Sequence, residues 1–511
     1  MPARLGTWLR EDIWEIRFRR YVALFLAAAL VSGAVWGGLR LTEEDRSCAP
    51  GVAHPEDSHD CVGVSATAYD FGRSQYTDTA RAIARENQRL KAGGYVTVAL
   101  FLPFTTSAPS SLGNLQHQLQ GAYLAQYQAN HDTTGQSPAI RLVLANPGAD
   151  GAYWRSVVDR LDAMAKGPDR LRAVAGIGMS TENNKAAVKE LTRRGIPVIG
   201  TSITADDLAN GQGGKDPFPG LARVSPTNTD EARALASFAK VSAGRALLVY
   251  DKPGDPYTRT LQRSFEKLLP GSRYQPQPFT PPADRNQEGT TGNAFRQITD
   301  RLCTTPKSTD TILFAGRHTQ LRQFINSLGE RGCVDRELTV LTGDEGSYLT
   351  GDKKLEHDAL TRNLSVRYTS LAHPDAWKKE TAKTGGSAAD MRTLEELLTR
   401  SKEDPVGPIG TVRLDDGQLI TAYDAMRLTV RGLREATTGN HATPSLTAVV
   451  NEWPVLKPVN GASGWICLDV HGNPYDKAVP IVELTPSGGT RFVKLAWPEG
   501  KPPAKECLPP A

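Results

Sequence analysis

The sequence predicts two α/β lobes, each built on a doubly wound parallel sheet, joined by a hinge that the chain crosses more than once. One membrane-spanning helix is expected ahead of them. Three observations carry this expectation. Continuous apolar runs alternate with helical stretches from Val96 onward, the pattern of parallel strands covered on both faces. The same rhythm restarts after Pro219-Gly220. Finally, Tyr21 to Gly38 is uncharged and follows Arg17, Arg19 and Arg20.

The apolar N-terminal run is long enough to span a hydrocarbon core of ~30 Å at about 1.5 Å per residue. The arginines on its N-terminal side place the N-terminus in the cytoplasm and the rest of the chain outside. A cleaved signal peptide is the rival. The charged leader is long for one, the run exceeds a usual apolar core, and a small-residue cleavage pattern is poorly formed. Leu41 to Asp60 is polar and reads as a tether. Residues 76–92 can form a helix with a weak apolar stripe.

In the first lobe the expected strands are 96–104, 140–147, 171–178 and 196–201, with helices at 114–130, 152–166 and 181–194. In the second, strands at 246–251, 311–316 and 338–344 alternate with helices at 256–268, 294–302 and 318–331. This is repeated βαβ organisation. A strong amphipathic helix at 417–436 and short antiparallel strands within 464–495 follow both lobes, so the chain crosses back between them. The expected division is a cytoplasmic tail (1–20), an anchor (21–39), a tether and extension (40–93), a first lobe (94–222 and 371–445), a second lobe (223–370 and 446–497) and a C-terminal tail (498–511).

The 511 residues exceed one compact core. A net charge of +4 with scattered Lys and Arg gives no nucleic-acid surface. The six cysteines show no zinc spacing, and an even count outside the membrane favours disulfides. Neighbour pairing is the simplest of the fifteen connectivities: Cys48 with Cys61, Cys303 with Cys333, Cys467 with Cys507. The helices at 294–302 and 318–331 flank one strand, and right-handed crossovers bring their C-termini, and so Cys303 and Cys333, to the same end.

No phosphate loop, nucleophile elbow or zinc helix is present, and no catalytic residue, metal set or cofactor is expected. The nine histidines do not cluster and read as solvated surface. Asp344 and Glu345 are adjacent, which on a strand would turn them to opposite sides. The informative pattern lies at the strand ends: Thr105-Thr106-Ser107, Ser180-Thr181, Ser202 with Thr204, and Asp344-Glu345. Ligands of open α/β sheets bind beyond those ends, and a helix start there suits a carboxylate. For Ser180 and Thr204 the competing reading is helix capping.

The motif order resembles the leucine/isoleucine/valine-type periplasmic binding proteins of the type I fold over roughly residues 94–495. "GIGMSTENNKAAVKELTRRGIPVIGTSITADDL" is similar to the family's two strand ends separated by a helix. The resemblance implies that Ser180, Ser202 and Thr204 hold the α-carboxylate and α-ammonium of an amino acid. "LLVYDKPGDPYTRTL" resembles the segment whose tyrosine closes over the ligand, here Tyr257. "TGDEGSYL" resembles the strand end presenting an acid to the ammonium, here Glu345 with Asp344 as the nearby alternative. "TAYDAMRLTVRGLREA" and "GASGWICLDVHGNP" resemble the family's late helix and terminal strand pair.

The first loop, PFTTSAPSS, departs from the family in lacking a Gly-rich turn. Arg317-His318 stands where an aromatic often lines the cleft. Arg317 there implies a more polar or acidic ligand, or else points to solvent. What the resemblance implies is a membrane-tethered, non-enzymatic solute-binding protein that closes on a small amino-acid-like ligand and serves an ABC permease. A ligand-sensing ectodomain acting through a partner, and a non-binding interaction module, are the alternatives.

Overall fold

The computed structural model describes scattered positions from Tyr21 to Ser32 and residues 46–503 with Cys507, leaving out 133–135, 284–286, 379–384 and 438–442. The chain divides into two units, Met1–Cys48 and Ala49–Ala511. In the first, Tyr21, Phe25 and Leu26 are helical and exposed. Among the described residues no helix is long and apolar enough to cross a membrane. The expected tail at 1–20, and most of the expected anchor at 21–39, lie outside the described residues.

The second unit carries both lobes. Its chain opens with β1 (Val52–Ala53), β2 (Val62–Ser65), α1 (Thr77–Gln88), β3 (Tyr95–Phe101), α2 (Pro109–Asn130), β4 (Ala139–Asn146), α3 (Trp154–Lys166), β5 (Leu171–Gly176), α4 (Glu182–Arg193), β6 (Val198–Gly200) and β7 (Leu221–Arg223). The strands lie side by side in the order β1-β2-β4-β3-β5-β6-β7. All neighbours from β4 to β7 are parallel. β2 runs antiparallel to β4, pairing Gly63 with Asn146. Within the stretch expected to be a tether, Val52–Ala53 joins the sheet edge against β2, whose Val62 and Val64 alternate into the first core.

The chain then builds α5 (Asn228–Ala239), β8 (Ala246–Asp251), α6 (Pro256–Lys267), β9 (Gln277–Phe279), α7 (Thr291–Thr304), β10 (Thr311–Ala315), α8 (His318–Gly329), β11 (Leu338–Thr342) and β12 (Leu364–Thr369). α9 (Ala388–Arg400) and α10 (Gln418–Glu435) return to the first lobe, where α10 packs along α2. α11 (Leu446–Glu452) and the hairpin β13 (Val459–Gly461) with β14 (Gly464–Ile466) stay against α10. Trp453 just after α11 donates to Gly220 O at 3.1 Å. This segment was expected in the second lobe. The second sheet resumes only with β15 (Val479–Leu484) and β16 (Thr490–Ala496), giving the order β9-β8-β10-β11-β12-β15-β16. The last two strands add antiparallel to β12.

The chain thus crosses between lobes after β7, after β12 and before β15. The crossings are tied together: Arg223 N donates to Gly472 O at 2.9 Å and Ser370 N to Pro480 O at 2.8 Å. Cys303–Cys333 and Cys467–Cys507 are paired as expected. Cys48 and Cys61 are also disulfide-bonded, which removes both thiolates from metal chemistry.

Candidate functional site

The site lies where strand ends of the two lobes face each other. On the first lobe, β5 leaves the sheet through Gly176 at φ +101° and reaches Ser180 ahead of α4. Thr181, not Ser180, caps that helix, accepting from Asn184 N at 3.2 Å. Ser180 Oγ instead accepts from Thr204 N and Ala205 N, both at 3.1 Å. It therefore clamps the turn after β6. Thr204 is not a cap either: its Oγ1 donates across the lobe boundary to Asp344 Oδ1 at 3.3 Å. The capping alternative fails for both residues. Ser202 Oγ donates to Gln418 Oε1 of α10 at 3.0 Å.

On the second lobe, Arg317 at the start of α8 is only 5% exposed. Nε reaches Asp255 Oδ2 at 2.9 Å, Nη1 reaches Glu345 Oε1 at 2.5 Å, and Nη2 crosses to Ser180 O at 2.7 Å. The guanidinium carbon lies 4.7 Å from the centre of the Tyr257 ring, a cation–π contact. Glu345 Oε2 accepts from His318 N at 3.0 Å and lies 2.7 Å from His318 Nδ1. The His318 ring stacks on Tyr348 with centroids 4.7 Å apart. Asp255 caps α6 with its other oxygen, accepting from Thr258 N at 3.0 Å.

Each side chain that the sequence singled out for ligand contact is buried here: Ser180, Ser202, Thr204, Tyr257, Arg317 and Glu345. Ser202 is the one drawn off toward α10. Arg317 does not reach solvent, and the surface reading of the histidines fails for His117, His318 and His373, which are buried. His117 is held by Asp416 and His318 by Glu345. Asp344 and Glu345 do not sit on a strand. They open a 3-10 turn after β11, so neither is turned away from the boundary. Thr105 stays within the first lobe, taking Asn146 Nδ2 on its hydroxyl at 3.1 Å.

Electrostatics separates the acids. Burial alone would raise Glu345, but the Arg317 guanidinium and His318 hold its carboxyl down at about 2. Burial, then the charge on Glu345, push Asp344 up to about 7. Glu231 of α5 is raised well above the carboxylate range by burial and by Asp344. Its Oε2 accepts from Thr369 Oγ1 at 2.5 Å, and its Oε1 has no partner. Carboxyl groups outnumber cations at this boundary, a setting that favours an incoming positive charge.

Sequence reasoning missed Asp255 and Gln418, and placed His318 at the cleft wall without its role in holding Glu345. The Asp255–Thr258 capping box was legible. That the carboxylate would also seat Arg317 depends on a loop 62 positions away. Gln418 gave no signal.

No protein-family model matches the sequence, and no curated protein matches it. Solved structures do match. A leucine-binding protein from Thermotoga maritima is 15% identical, with a TM-score of 0.56 covering 79% of this chain and 99% of that one. An ABC transporter substrate-binding protein from Desulfitobacterium hafniense in complex with Leu is 18% identical, with a TM-score of 0.54 covering 78% and 100%. A solute-binding protein of an ABC transporter from Rhodopseudomonas palustris, in complex with 3,4-dihydroxybenzoic acid, is 14% identical, with a TM-score of 0.55 covering 79% and 97%. At these identities the likeness is one of fold: this chain has the type I periplasmic-binding architecture.

Proposed function

We propose that the protein is an extracytoplasmic solute-binding protein that closes its lobes on a small ligand bearing an ammonium group, an α-amino acid in the first instance. The observation that carries this is the direct meeting of strand ends across the boundary, Arg317 with Ser180 O and Thr204 with Asp344. Asp344, rather than Glu345, is the acid for the ammonium. Glu345 is already neutralised by Arg317, whereas Asp344 has a hydroxyl partner and a raised pKa. An ammonium between Thr204 and Asp344 would restore the carboxylate and draw both lobes together. The fold's solved relatives include substrate-binding proteins of ABC transporters, which supports delivery to a permease. Residues 21–39 would tether the protein to the membrane as a single span, with the N-terminus cytoplasmic.

Calorimetric titration of the full chain in mild detergent with the proteinogenic amino acids tests the reading. Saturable binding is expected, weakened about 10- to 100-fold in D344N, in line with loss of a charge-assisted hydrogen bond. Binding insensitive to D344N would move the ammonium elsewhere. No binding by any amino acid would leave Arg317 as the permanent occupant of the boundary and favour an interaction module on the same fold.

A further inference from the structure

The first turns of α2 present three polar side chains at i, i+3 and i+7, Ser111, Asn114 and Gln118, which share one helix face. They are 5%, 5% and 1% exposed. Ser111 Oγ, Asn114 Nδ2 and Gln118 Oε1 each lack a hydrogen-bond partner. Burying one such group is costly, and three on one face call for a reason. The helix does not supply it. Leu115, Leu119 and Ala122 are apolar and buried. Gln120 and Gln126 send their amide donors to the carbonyls of Ile409 and Ile140, inside the first lobe, where their Oε1 atoms are also without a partner.

The unpartnered face looks elsewhere. Gln118 Nε2 donates to Gln418 Oε1 at 2.9 Å, the same oxygen that takes the Ser202 hydroxyl. The Asn114 amide faces the Tyr348 hydroxyl of the second lobe and works against the burial that raises that hydroxyl's pKa, so a ligand oxygen on Asn114 Nδ2 would take the place of that hydroxyl. Tyr348 stacks on His318, which holds Glu345. The three residues therefore continue the cross-lobe cluster from its head-group end into a neutral polar wall. His117, the titratable side chain on this stretch of α2, is tied to Asp416.

We propose that this face of α2 reads the ligand's side chain and selects a neutral polar one, a carboxamide above all, over an aliphatic one. The inference rests on the ammonium-ligand reading above. A carboxamide is the complement of what is unpartnered: its oxygen accepts from Asn114 Nδ2 and its NH2 donates to Gln118 Oε1, with Ser111 free to do either. An aliphatic side chain would leave all three groups buried and unpaired, the arrangement by which sites reject analogues lacking a polar group.

The test is calorimetric, on the full chain, with alanine, leucine, asparagine and glutamine. Alanine reports the head group alone. The expected result is asparagine or glutamine binding at least about 100-fold more tightly than leucine, with that preference collapsing in N114L while alanine affinity stays within a few-fold. Q118M, close in volume, repeats the measurement should N114L fail to fold. Leucine binding as tightly as the amides, with alanine still bound, overturns the side-chain assignment and leaves the ammonium reading standing. Failure of alanine and every other amino acid to bind overturns both.

Discussion

Arg317 is a full charge with almost no solvent, held by two carboxylates, a carbonyl and an aromatic face. Burial opposes its charge, and Asp255 and Glu345 more than restore it. Removing it strands two buried anions. R317M should therefore lose about 3–5 kcal/mol of unfolding free energy, read by chemical denaturation, and R317M/E345Q should recover part of the loss. Equal stability of R317M and the parent would contradict the geometry. Asp344 sets a pH dependence of opposite sense to Glu345. Its folded pKa lies above the unfolded value, so its stabilising contribution is complete below about 4 and is lost as pH rises toward about 7. Glu345, lowered to about 2, contributes above its unfolded pKa and loses that only in strong acid. D344N should flatten the fall in thermal midpoint between these pH values, a change visible by calorimetry. That Ser180, Thr204, Asp344 and Glu345 would cluster was legible from hydroxyls and acids at strand ends, whereas Tyr257 and Arg317 came through the resemblance and Thr105 stays apart. Which atom would meet which was not, because Ser180 clamps Thr204 through a turn and Arg317 crosses to the opposite lobe.

At the scale of elements, periodicity placed the main strands and helices because the parallel strands are apolar on both faces. β12 escaped notice: LSVRYT alternates buried and half-buried positions and sits among polar residues. The β1–β2 edge escaped for a similar reason, its strands being short and interrupted by Gly63. The α2–α10 contact was not legible at all. It depends on Gly121, where a Cβ would run into Leu419 O and lie 2.8 Å from Tyr423 N. The helices cross backbone to backbone there, so G121A should cost about 1–3 kcal/mol as an overpacked contact. Guanidinium unfolding measures it, and a neutral result would show that the helices can separate without penalty.

For the whole molecule, two lobes and a returning chain were readable from the restart after Pro219-Gly220 and the late helix. The point of last return was not, since α11 and the β13–β14 hairpin carry no mark of which lobe they join. Contacts made directly between lobes imply a ligand-free population already closed. Spin labels at exposed Lys189 and Glu266, one on each lobe, should give a distance distribution dominated by the closed separation. R317M should broaden it toward longer distances by removing the bond to Ser180 O. Identical distributions for the two proteins would mean that Arg317 does not hold the lobes together.

The pairing of α2 with α10 also governs how such a chain can be made. Gln118 and Gln418 touch across 300 positions, with the second lobe from β8 to β12 inserted between them. A ribosome working at about 5–20 residues per second takes roughly 15–60 s to supply the partner. Throughout that interval the face of α2 around Gly121 lacks the helix that packs on it. The first lobe is begun early and finished late, so newborn chains depend on being shielded, or threaded onward still unfolded, until the late helix arrives.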